Sequence, residues 1–147
     1  MTHIKYQTFQ LPSCHWKQTK ELRLAVFVDE QGVPEELEID DNDATALHFI
    51  ATLQHQLIGT LRLNFKRKTA KLGRLAIAKT YRHQGIATQL MQKAAHFCQY
   101  HDINKIELAA QVIAKDFYTK LQYRESGDTF MDAGIPHVLM IKHLHAT

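Results

Sequence analysis

Hydrophobic and polar positions at the start of the chain follow two different periods. Residues 4–9 largely alternate between apolar and polar side chains, which predicts a strand with one buried face. From about His15 the apolar residues recur every three to four positions, which predicts a helix capped by Ser13. The inner stripe of this helix contains Leu22, Ala25 and Val26. Gly32 and Pro34 end the helix, because proline cannot continue it.

Residues 35–43 form an acidic stretch after this break. Six of its nine residues are carboxylates, and it is poor in the β-branched and aromatic side chains that strands favour. It therefore predicts a loop or a short helix. Because runs of like charge are usually solvated, an exposed segment is the simplest interpretation.

Three apolar-rich segments then follow in quick succession, at residues 46–53, 57–65 and 71–78. Short polar turns at residues 55–56 and 66–68 separate them. Because connections this short join antiparallel neighbours, the three segments predict consecutive antiparallel strands.

A long helix and a short strand are predicted next. Residues 84–101 carry apolar side chains at helical spacing, and residues 105–109 form a short strand. The inner stripe of the helix contains Ile86, Leu90, Ala94, Phe97 and Cys98. A strand, a helix and a second strand in this order predict a parallel crossover.

The last third of the chain predicts a helix at residues 112–121 and a terminal hairpin. The arms of the hairpin are residues 123–125 with Phe130, and residues 137–141. The residues that separate the arms are Gly127, Gly134 and Pro136. These elements predict an α/β fold: one mixed sheet of about seven strands, antiparallel in its N-terminal half, with helices on both faces. Residues 1–147 are expected to form a single domain.

Composition narrows the class of protein. A hydrophobic fraction of 45% is typical of a soluble globular domain, and no apolar run approaches the roughly 20 residues that span a bilayer. The N-terminus lacks the apolar core of a signal peptide, so we expect a cytoplasmic protein without a membrane partner. A net charge of +3 is too small to indicate nucleic acid. Neither the two cysteines nor the ten histidines show a metal-ligand spacing, so no metal is expected.

The turn before the long predicted helix carries the most informative motif. The first N–H groups of a helix lack internal partners and the helix dipole is positive there, so a pyrophosphate receives several hydrogen bonds at once. Gly85 lets the backbone approach the anion, and small Ala87 leaves room for it. Arg82 and His83 add basic side chains. The R-x-x-G-x-[GA] pattern alone is weak, and an ordinary turn is the alternative, but the position before an amphipathic helix favours anion binding.

Two segments resemble motifs of the GNAT superfamily of N-acetyltransferases. Residues 75–77 (LAI) followed by residues 82–87 (RHQGIA) are similar to the acetyl-CoA motif of the family. Residues 117–123 (FYTKLQY) are similar to a later element of the same family. Gln122 stands where the family usually has glycine, at a position that ends a helix. The resemblance covers nearly the whole chain in the family's order.

This resemblance implies that acetyl-CoA is the co-substrate. In this family the fourth strand carries a bulge and splays from the fifth, and the pantetheine arm lies in the gap. The residues implied for acetyl-CoA binding are Leu75, Ala76, Ile77, Arg82, His83, Gln84, Gly85, Ile86, Ala87, Thr88 and Tyr118. The N–H of Ile77 would also polarise the thioester carbonyl and hold the oxyanion of the tetrahedral intermediate.

Tyr118 falls at the position of the family's general acid. A phenol, with an ordinary pKa of about 10, can donate a proton to the leaving thiolate. A buried core tyrosine is the alternative role at this position.

No motif defines the base that takes a proton from the acceptor. An amine is mostly protonated at neutral pH, so a carboxylate, a histidine or a water chain has to accept a proton before the attack. The catalytic candidates are Glu30, Glu38 and His48, and the candidates for acceptor binding are Asp41, Gln111 and His137. The acidic stretch would favour a cationic amine if it lines the acceptor site, and would have no such role if it is solvated.

The predicted function is transfer of acetyl from acetyl-CoA to the amine of a small molecule or peptide, by direct attack in a ternary complex. Residues 26–31 (VFVDEQ) and 134–137 (GIPH) resemble the ElaA-like branch of the family. One alternative is a sensor that binds acyl-CoA without catalysis, against which Tyr118 argues. Another is an enzyme similar to the acyl-homoserine lactone synthases, which residues 26–31 faintly resemble, although those enzymes are longer. The sequence leaves the oligomeric state undecided, and a homodimer is one option.

Overall fold

The computed structural model describes residues 3–144, which contain one seven-stranded sheet. The strands are β1 (Ile4–Phe9), β2 (Leu47–Leu53), β3 (Gln56–Lys66), β4 (Thr69–Ile77), β5 (Lys105–Gln111), β6 (Arg124–Asp132) and β7 (Ile135–His143). They lie in the order β1-β2-β3-β4-β5-β7-β6. All neighbouring pairs are antiparallel except β4 and β5, which are parallel. The predicted fold with its parallel crossover is confirmed.

Helical segments connect the strands. The α-helices are α1 (Trp16–Arg23), α2 (Glu35–Glu38), α3 (Asn42–Thr45), α4 (Ile86–Tyr100) and α5 (Lys115–Lys120). A π-helical segment (Leu24–Glu30) continues α1. Short 3₁₀ turns at Lys79–Tyr81 and Val112–Ala114 precede α4 and α5.

The two faces of the sheet carry two separate apolar clusters, because successive side chains of a strand point in opposite directions. Phe49 of β2 packs in the larger cluster with Leu90 of α4. The next residue, Ile50, packs in the smaller cluster with Leu22 and Val26 of the N-terminal helix. Helices therefore cover both faces, as predicted.

The N-terminal helix differs from the prediction in its second half. Leu22 and Val26 are buried, but Ala25, which helical spacing places on the inner stripe, is exposed. From Leu24 onward the backbone forms π-helical turns, which contain more residues per turn than an α-helix. The changed period leaves Ala25 facing solvent.

Three further boundaries differ in detail from the predicted ones. Helix α1 begins at Trp16, and the Ser13 Oγ accepts a hydrogen bond from the His15 N–H at 3.1 Å without capping the helix itself. The acidic stretch forms two short helices, α2 and α3, where the sequence predicted a loop or a single short helix. Strand β6 runs continuously through Gly127, and all of its residues are exposed, so no alternation of apolar side chains marks its length.

Gln122 adopts the conformation that a glycine would favour. Its φ is 75°, in the left-handed region, directly after the C-terminal end of α5. This geometry agrees with a structural role for the position at which the GNAT pattern usually has glycine.

Candidate active site

Strands β4 and β5 separate partway along their length. They pair only between residues 69–72 and residues 105–108. On the other side of β4, Arg74 and Leu75 lie opposite the single residue Leu61 of β3, which is a β-bulge. Arg74 within the bulge has a φ of 57°. The bulge bends β4, and a gap opens between it and β5.

The backbone of Ile77 faces this gap. Ile77 lies opposite Gly59 of β3, and the neighbouring hydrogen bond runs from the Ala78 N–H to the Ile58 carbonyl at 2.8 Å. In an antiparallel ladder this pattern directs the N–H and C=O of Ile77 away from β3. The carbonyl accepts a hydrogen bond from Arg82 Nε at 3.0 Å, whereas β5 supplies no partner for the N–H.

An open turn precedes helix α4. Gly85 has a φ of 84°, which glycine adopts without strain. A methyl group added at Gly85 would meet no atom within 4 Å. No side chain of residues 3–144 caps the first turn of α4. The space before the helix is therefore open and bordered by N–H groups without side-chain partners, which suits an anion.

The residues implied for acetyl-CoA binding lie along the gap and this turn. Those that line the adjoining cavity are Leu75, Ala76, Ile77, Arg82, Ala87 and Tyr118. His83, Gln84 and Gly85 are exposed at the turn, and Thr88 is half-buried in the first turn of α4. The side chain of Ile86 is buried in the larger apolar cluster, so only its backbone can contribute to the turn.

The cavity beside the gap has a volume of about 930 Å³. Its wall includes Ile77 of β4, Gln111 of β5, Tyr118 of α5 and His137 of β7. A cavity of this size can enclose a small-molecule ligand. It brings together the predicted oxyanion donor, the predicted acid and two predicted acceptor-binding residues.

Tyr118 is half-buried at this cavity. Its ring packs edge-on against Phe117 and Tyr123, with centroids 5.1 Å and 6.1 Å away. The hydroxyl forms no hydrogen bond with any of residues 3–144. Burial raises the pKa of Tyr118 to about 12, so the phenol keeps its proton at neutral pH. Its O–H is therefore available to a ligand.

A group of buried and half-buried charges lies beside the same cavity. This charged cluster consists of Arg23, Arg62, Arg74, Glu38, Asp40 and Asp43. The closest contact joins Arg23 Nη1 to Asp43 Oδ1 at 2.6 Å, and Arg62 Nη1 lies 2.9 Å from the same oxygen. Arg74 Nε lies 3.0 Å from Glu38 Oε2. Because three guanidinium groups face three carboxylates, the charged cluster is electrically neutral.

The acidic stretch therefore does not present free carboxylates to the cavity. Three of its carboxylates belong to the charged cluster. The other three, Glu35, Glu36 and Asp41, are exposed and do not line the cavity. The structure thus places Asp41 away from the cavity. No unpaired carboxylate of the acidic stretch is left there to attract a cationic amine.

Nearly the whole chain matches one enzyme family. The family model of the acetyltransferase (GNAT) domain matches residues 12–144. The chain belongs to the GNAT acetyltransferase family. Among its relatives, YjcF of Bacillus subtilis (strain 168), named an uncharacterized N-acetyltransferase, is 34% identical over 122 residues, which are 82% of this chain and 87% of YjcF. ElaA of Escherichia coli (strain K12) is 28% identical over 130 residues, 84% of each chain.

Solved structures agree with this assignment of the GNAT domain. The crystal structure of Escherichia coli ElaA covers 96% of this chain and 100% of its own, with a TM-score of 0.87 and 25% identity. A GNAT acetyltransferase from Elizabethkingia anophelis, with acetyl-CoA bound, covers 96% of this chain and 98% of its own, with a TM-score of 0.74. At 16% identity that likeness shows the fold alone. The predicted family, fold and enzyme class are confirmed.

Arginines bind both carboxylates predicted as the base of this GNAT domain. Glu38 lines the cavity but is only 2% exposed, and its two oxygens bind Arg23 and Arg74. Burial raises the pKa of Glu38. Glu30 does not line the cavity, and the hydrogen bond that it accepts from Arg82 at 2.8 Å lowers its pKa. Both oxygens of Glu38 are therefore bound by arginines, and Glu30 lies off the cavity wall.

His48, the third predicted base, lies outside the cavity of the GNAT domain. It is fully buried on β2, where its ring stacks on Phe9 at 4.8 Å. Its Nε2 lies 3.0 Å from the carbonyl of Asp43. Burial lowers the pKa of His48. The structure does not bring this ring to the gap, and its contacts are those of a core side chain.

Gln111 and His137 are opposite each other on β5 and β7. The Gln111 side-chain amide donates a hydrogen bond to the side-chain oxygen Oε1 of Gln31 at 2.8 Å, which links β5 to the segment after the π-helix. The His137 Nδ1 lies 2.7 Å from the Ile135 carbonyl. Both side chains line the cavity.

Sequence reasoning missed the arginines of the charged cluster. Arg62 interrupts the apolar run at residues 57–65, and Arg23 follows directly after the apolar position Leu22. A charged residue in such a place is seldom buried without a partner, and the nearby acidic stretch supplies partners. This combination is the pattern that could have identified them.

Residues 3–144 also bear on a membrane span and on a metal centre. Across residues 3–144, no helix combines the length and apolar composition that crossing a bilayer requires. In the same part of the chain, no three histidine, cysteine or acidic side chains are grouped so that they could hold a metal ion.

Proposed function

We propose that this GNAT domain transfers acetyl from acetyl-CoA to the amine of a small molecule or peptide, by direct attack in a ternary complex. The observation that carries the proposal is the gap between β4 and β5. There the Ile77 backbone faces the cavity that the Tyr118 hydroxyl can also reach. A backbone donor and a protonated phenol on one cavity suit a reaction in which an oxyanion forms and a thiolate leaves.

The open turn before α4 takes the pyrophosphate of acetyl-CoA in this proposal. The N–H groups of the first helical turn and the left-handed Gly85 provide the anion site, and the small Ala87 keeps it accessible. Arg82 acts differently from a phosphate clamp. Its guanidinium binds the Ile77 carbonyl and Glu30, at 3.0 Å and 2.8 Å, so it fixes the end of β4.

The chemistry follows from the two groups at the gap. The amine attacks the thioester carbonyl carbon, and the Ile77 N–H stabilises the negative charge that develops on its oxygen. Tyr118 donates a hydrogen bond, and then its proton, toward the leaving sulfur. The raised pKa of Tyr118, about 12, keeps the proton in place until the thiolate forms.

A thiol-release assay tests this function. Acetyl-CoA is combined with a panel of amines (spermidine, glucosamine, free amino acids and a short peptide), and free thiol is measured. We expect release with at least one amine, and Tyr118→Phe should lower its turnover on the order of 10²-fold while acetyl-CoA affinity stays within a few-fold.

Tyr123→Phe is the matched control for Tyr118→Phe. Tyr123 is 2% exposed, its ring packs against Tyr118, and its hydroxyl has no partner among residues 3–144. Loss of this hydroxyl should leave turnover unchanged. Binding of acetyl-CoA without thiol release for any amine would instead favour the non-catalytic sensor. Undiminished turnover in Tyr118→Phe would remove the acid role.

A further inference from the structure

A hydrogen bond to the backbone determines which ring nitrogen of His137 carries the proton in the neutral imidazole. A carbonyl oxygen can only accept a hydrogen bond, so the contact of 2.7 Å with the Ile135 carbonyl places a proton on Nδ1. A neutral imidazole carries one N–H, and the Nε2 of the neutral ring therefore keeps its lone pair. No residue of the described chain binds this nitrogen.

The ring of His137 is also fixed in place. The residue is 9% exposed, and Phe130 of β6 stacks on it with centroids 6.0 Å apart and an angle of 23° between the planes. Its neighbour across the ladder is Gln111, at the end of β5 beside the gap. Nε2 is not among the buried polar atoms that lack a hydrogen-bond partner, so it is accessible, and His137 lines the cavity.

The other candidate bases on the cavity wall are weaker. Glu38 is bound by arginines, and Glu30 and His48 do not line the cavity. Two further carboxylates line it: Asp132 of β6 is exposed to solvent, and Glu107 of β5 is paired with Lys105 at 3.1 Å. The arginines on the wall are Arg62, Arg74 and Arg82, and each of them already binds a carboxylate.

We propose that Nε2 of His137 is the base that deprotonates the acceptor amine, an inference that rests on the proposed function. The Nε2 lone pair takes one proton from the bound R–NH3+ and leaves R–NH2. The nitrogen lone pair then forms the C–N bond to the thioester carbon, whose π electrons move to the oxygen beside Ile77. When the carbonyl re-forms, the C–S bond breaks and sulfur leaves with the electron pair. The second proton lost by nitrogen reaches that sulfur through Tyr118, and His137 releases its proton to solvent.

His137→Asn separates this role from a structural one. The Asn amide can occupy the position of Nδ1 and still donate to the Ile135 carbonyl, but it has no basic nitrogen in place of Nε2. With the primary alkylamine of the panel that turns over fastest, we expect kcat to fall on the order of 10²-fold. The KM values for the amine and for acetyl-CoA should stay within a few-fold. The deficit should shrink as pH rises from about 7 to about 9, because more of the amine is then unprotonated without help.

Two controls accompany this variant. His143→Asn makes the same change at an exposed position of β7, and Asp132→Asn removes the exposed carboxylate of the cavity wall. Both should keep parental kcat. The acetyl-CoA-induced rise in melting temperature checks that each variant is folded.

Each other result has a defined meaning. A His137→Asn variant with parental kcat, with a loss that is the same at every pH, or with a change in amine KM alone overturns the base. Loss of kcat in Asp132→Asn rather than in His137→Asn also overturns it. In those cases acetyl transfer by the parent still stands. If the parent binds acetyl-CoA but acetylates no amine, the proposed function fails and the base assignment fails with it.

Discussion

Replacement of Asp43 by asparagine should strongly destabilise the domain, because three guanidinium groups of the charged cluster would then face only two carboxylates. Asp43 is 2% exposed and accepts hydrogen bonds from Arg23 Nη1 and Nη2 at 2.6 Å and 3.2 Å. It also accepts bonds from Arg62 Nη1 at 2.9 Å and from the Asp40 N–H at 3.1 Å. Asparagine preserves the shape, but its amide group turns a donor toward guanidinium groups that can only donate.

The size of the effect follows from the burial of both partners. The side chains of Arg23 and Asp43 are 1% and 3% exposed, so solvent screens their interaction little. Breaking a buried pair by removing one partner costs about 3–5 kcal/mol. That is a large part of a domain stability of about 5–15 kcal/mol. At roughly 3 °C per kcal/mol for a chain of this size, the melting temperature should fall by about 12 °C.

The pH dependence gives this prediction a second readout. Burial alone would raise the pKa of Asp43, but the hydrogen bonds and charges of Arg23 and Arg62 outweigh it, and the pKa lies below its ordinary value of 3.8. A carboxylate with a lowered folded pKa stabilises the fold above its unfolded pKa and loses that contribution as pH falls through the folded value. The difference between parent and variant should therefore be constant from about pH 5 to pH 8 and shrink only below about 3.8.

Urea unfolding followed by circular dichroism measures the loss directly. Asp41→Asn is the matched control, since it removes the same charge from an exposed residue two positions away and should change stability by less than about 0.5 kcal/mol. Equal stabilities for Asp43→Asn and Asp41→Asn would refute the conclusion that the charged cluster is a buried, mutually dependent unit.

Two further predictions concern the ligands. Gly85→Glu should abolish the rise in melting temperature caused by acetyl-CoA. In the parent, acetyl-CoA at a hundredfold excess over Kd should stabilise the fold by about 2.7 kcal/mol. Gly127→Glu, at an exposed glycine that also has positive φ, should keep this rise. Equal shifts in both variants would remove the anion site from the turn before α4. Because Asp41 is exposed and does not line the cavity, Asp41→Asn should leave the KM for spermidine unchanged at low and high salt. If the KM of the variant rises at low salt but not at high salt, the acidic stretch does contribute to binding of the acceptor amine.

Local periodicity was sufficient to predict elements with one buried face. Strand β3 and helix α4 follow their predicted ranges to within about two residues, because their apolar spacing is imposed by the core that they share. Strand β6 was predicted only in fragments, since neither of its faces is buried. The π-helical turns after Leu24 have no sequence pattern that separates them from an α-helix, and the misplaced Ala25 follows from that.

The candidate site divides in the same way. The backbone groups of the gap and turn could be placed in advance, because the motif fixes a strand end and a helix start. The charge balance of the acidic stretch could not, because Asp43 meets Arg23 and Arg62 only through contacts 20 and 19 residues apart in the chain. A carboxylate count from sequence records the charges, and the fold decides which of them remain free.

The short contact between β4 and β5 divides the sheet into a block of four strands and a block of three. Only residues 69–72 and 105–108 join the two blocks, at one end of the sheet. Beyond these residues the Ile77 N–H lies inside the sheet but has no partner on β5. This amide should therefore exchange its hydrogen with solvent faster than the amides of the neighbouring strand β3. A substrate lying in the gap would accept the hydrogen bond of the Ile77 N–H and contact both blocks of strands, so it would hold them together. Hydrogen exchange at the end of β4 would then report occupancy of the active site before any chemistry occurs.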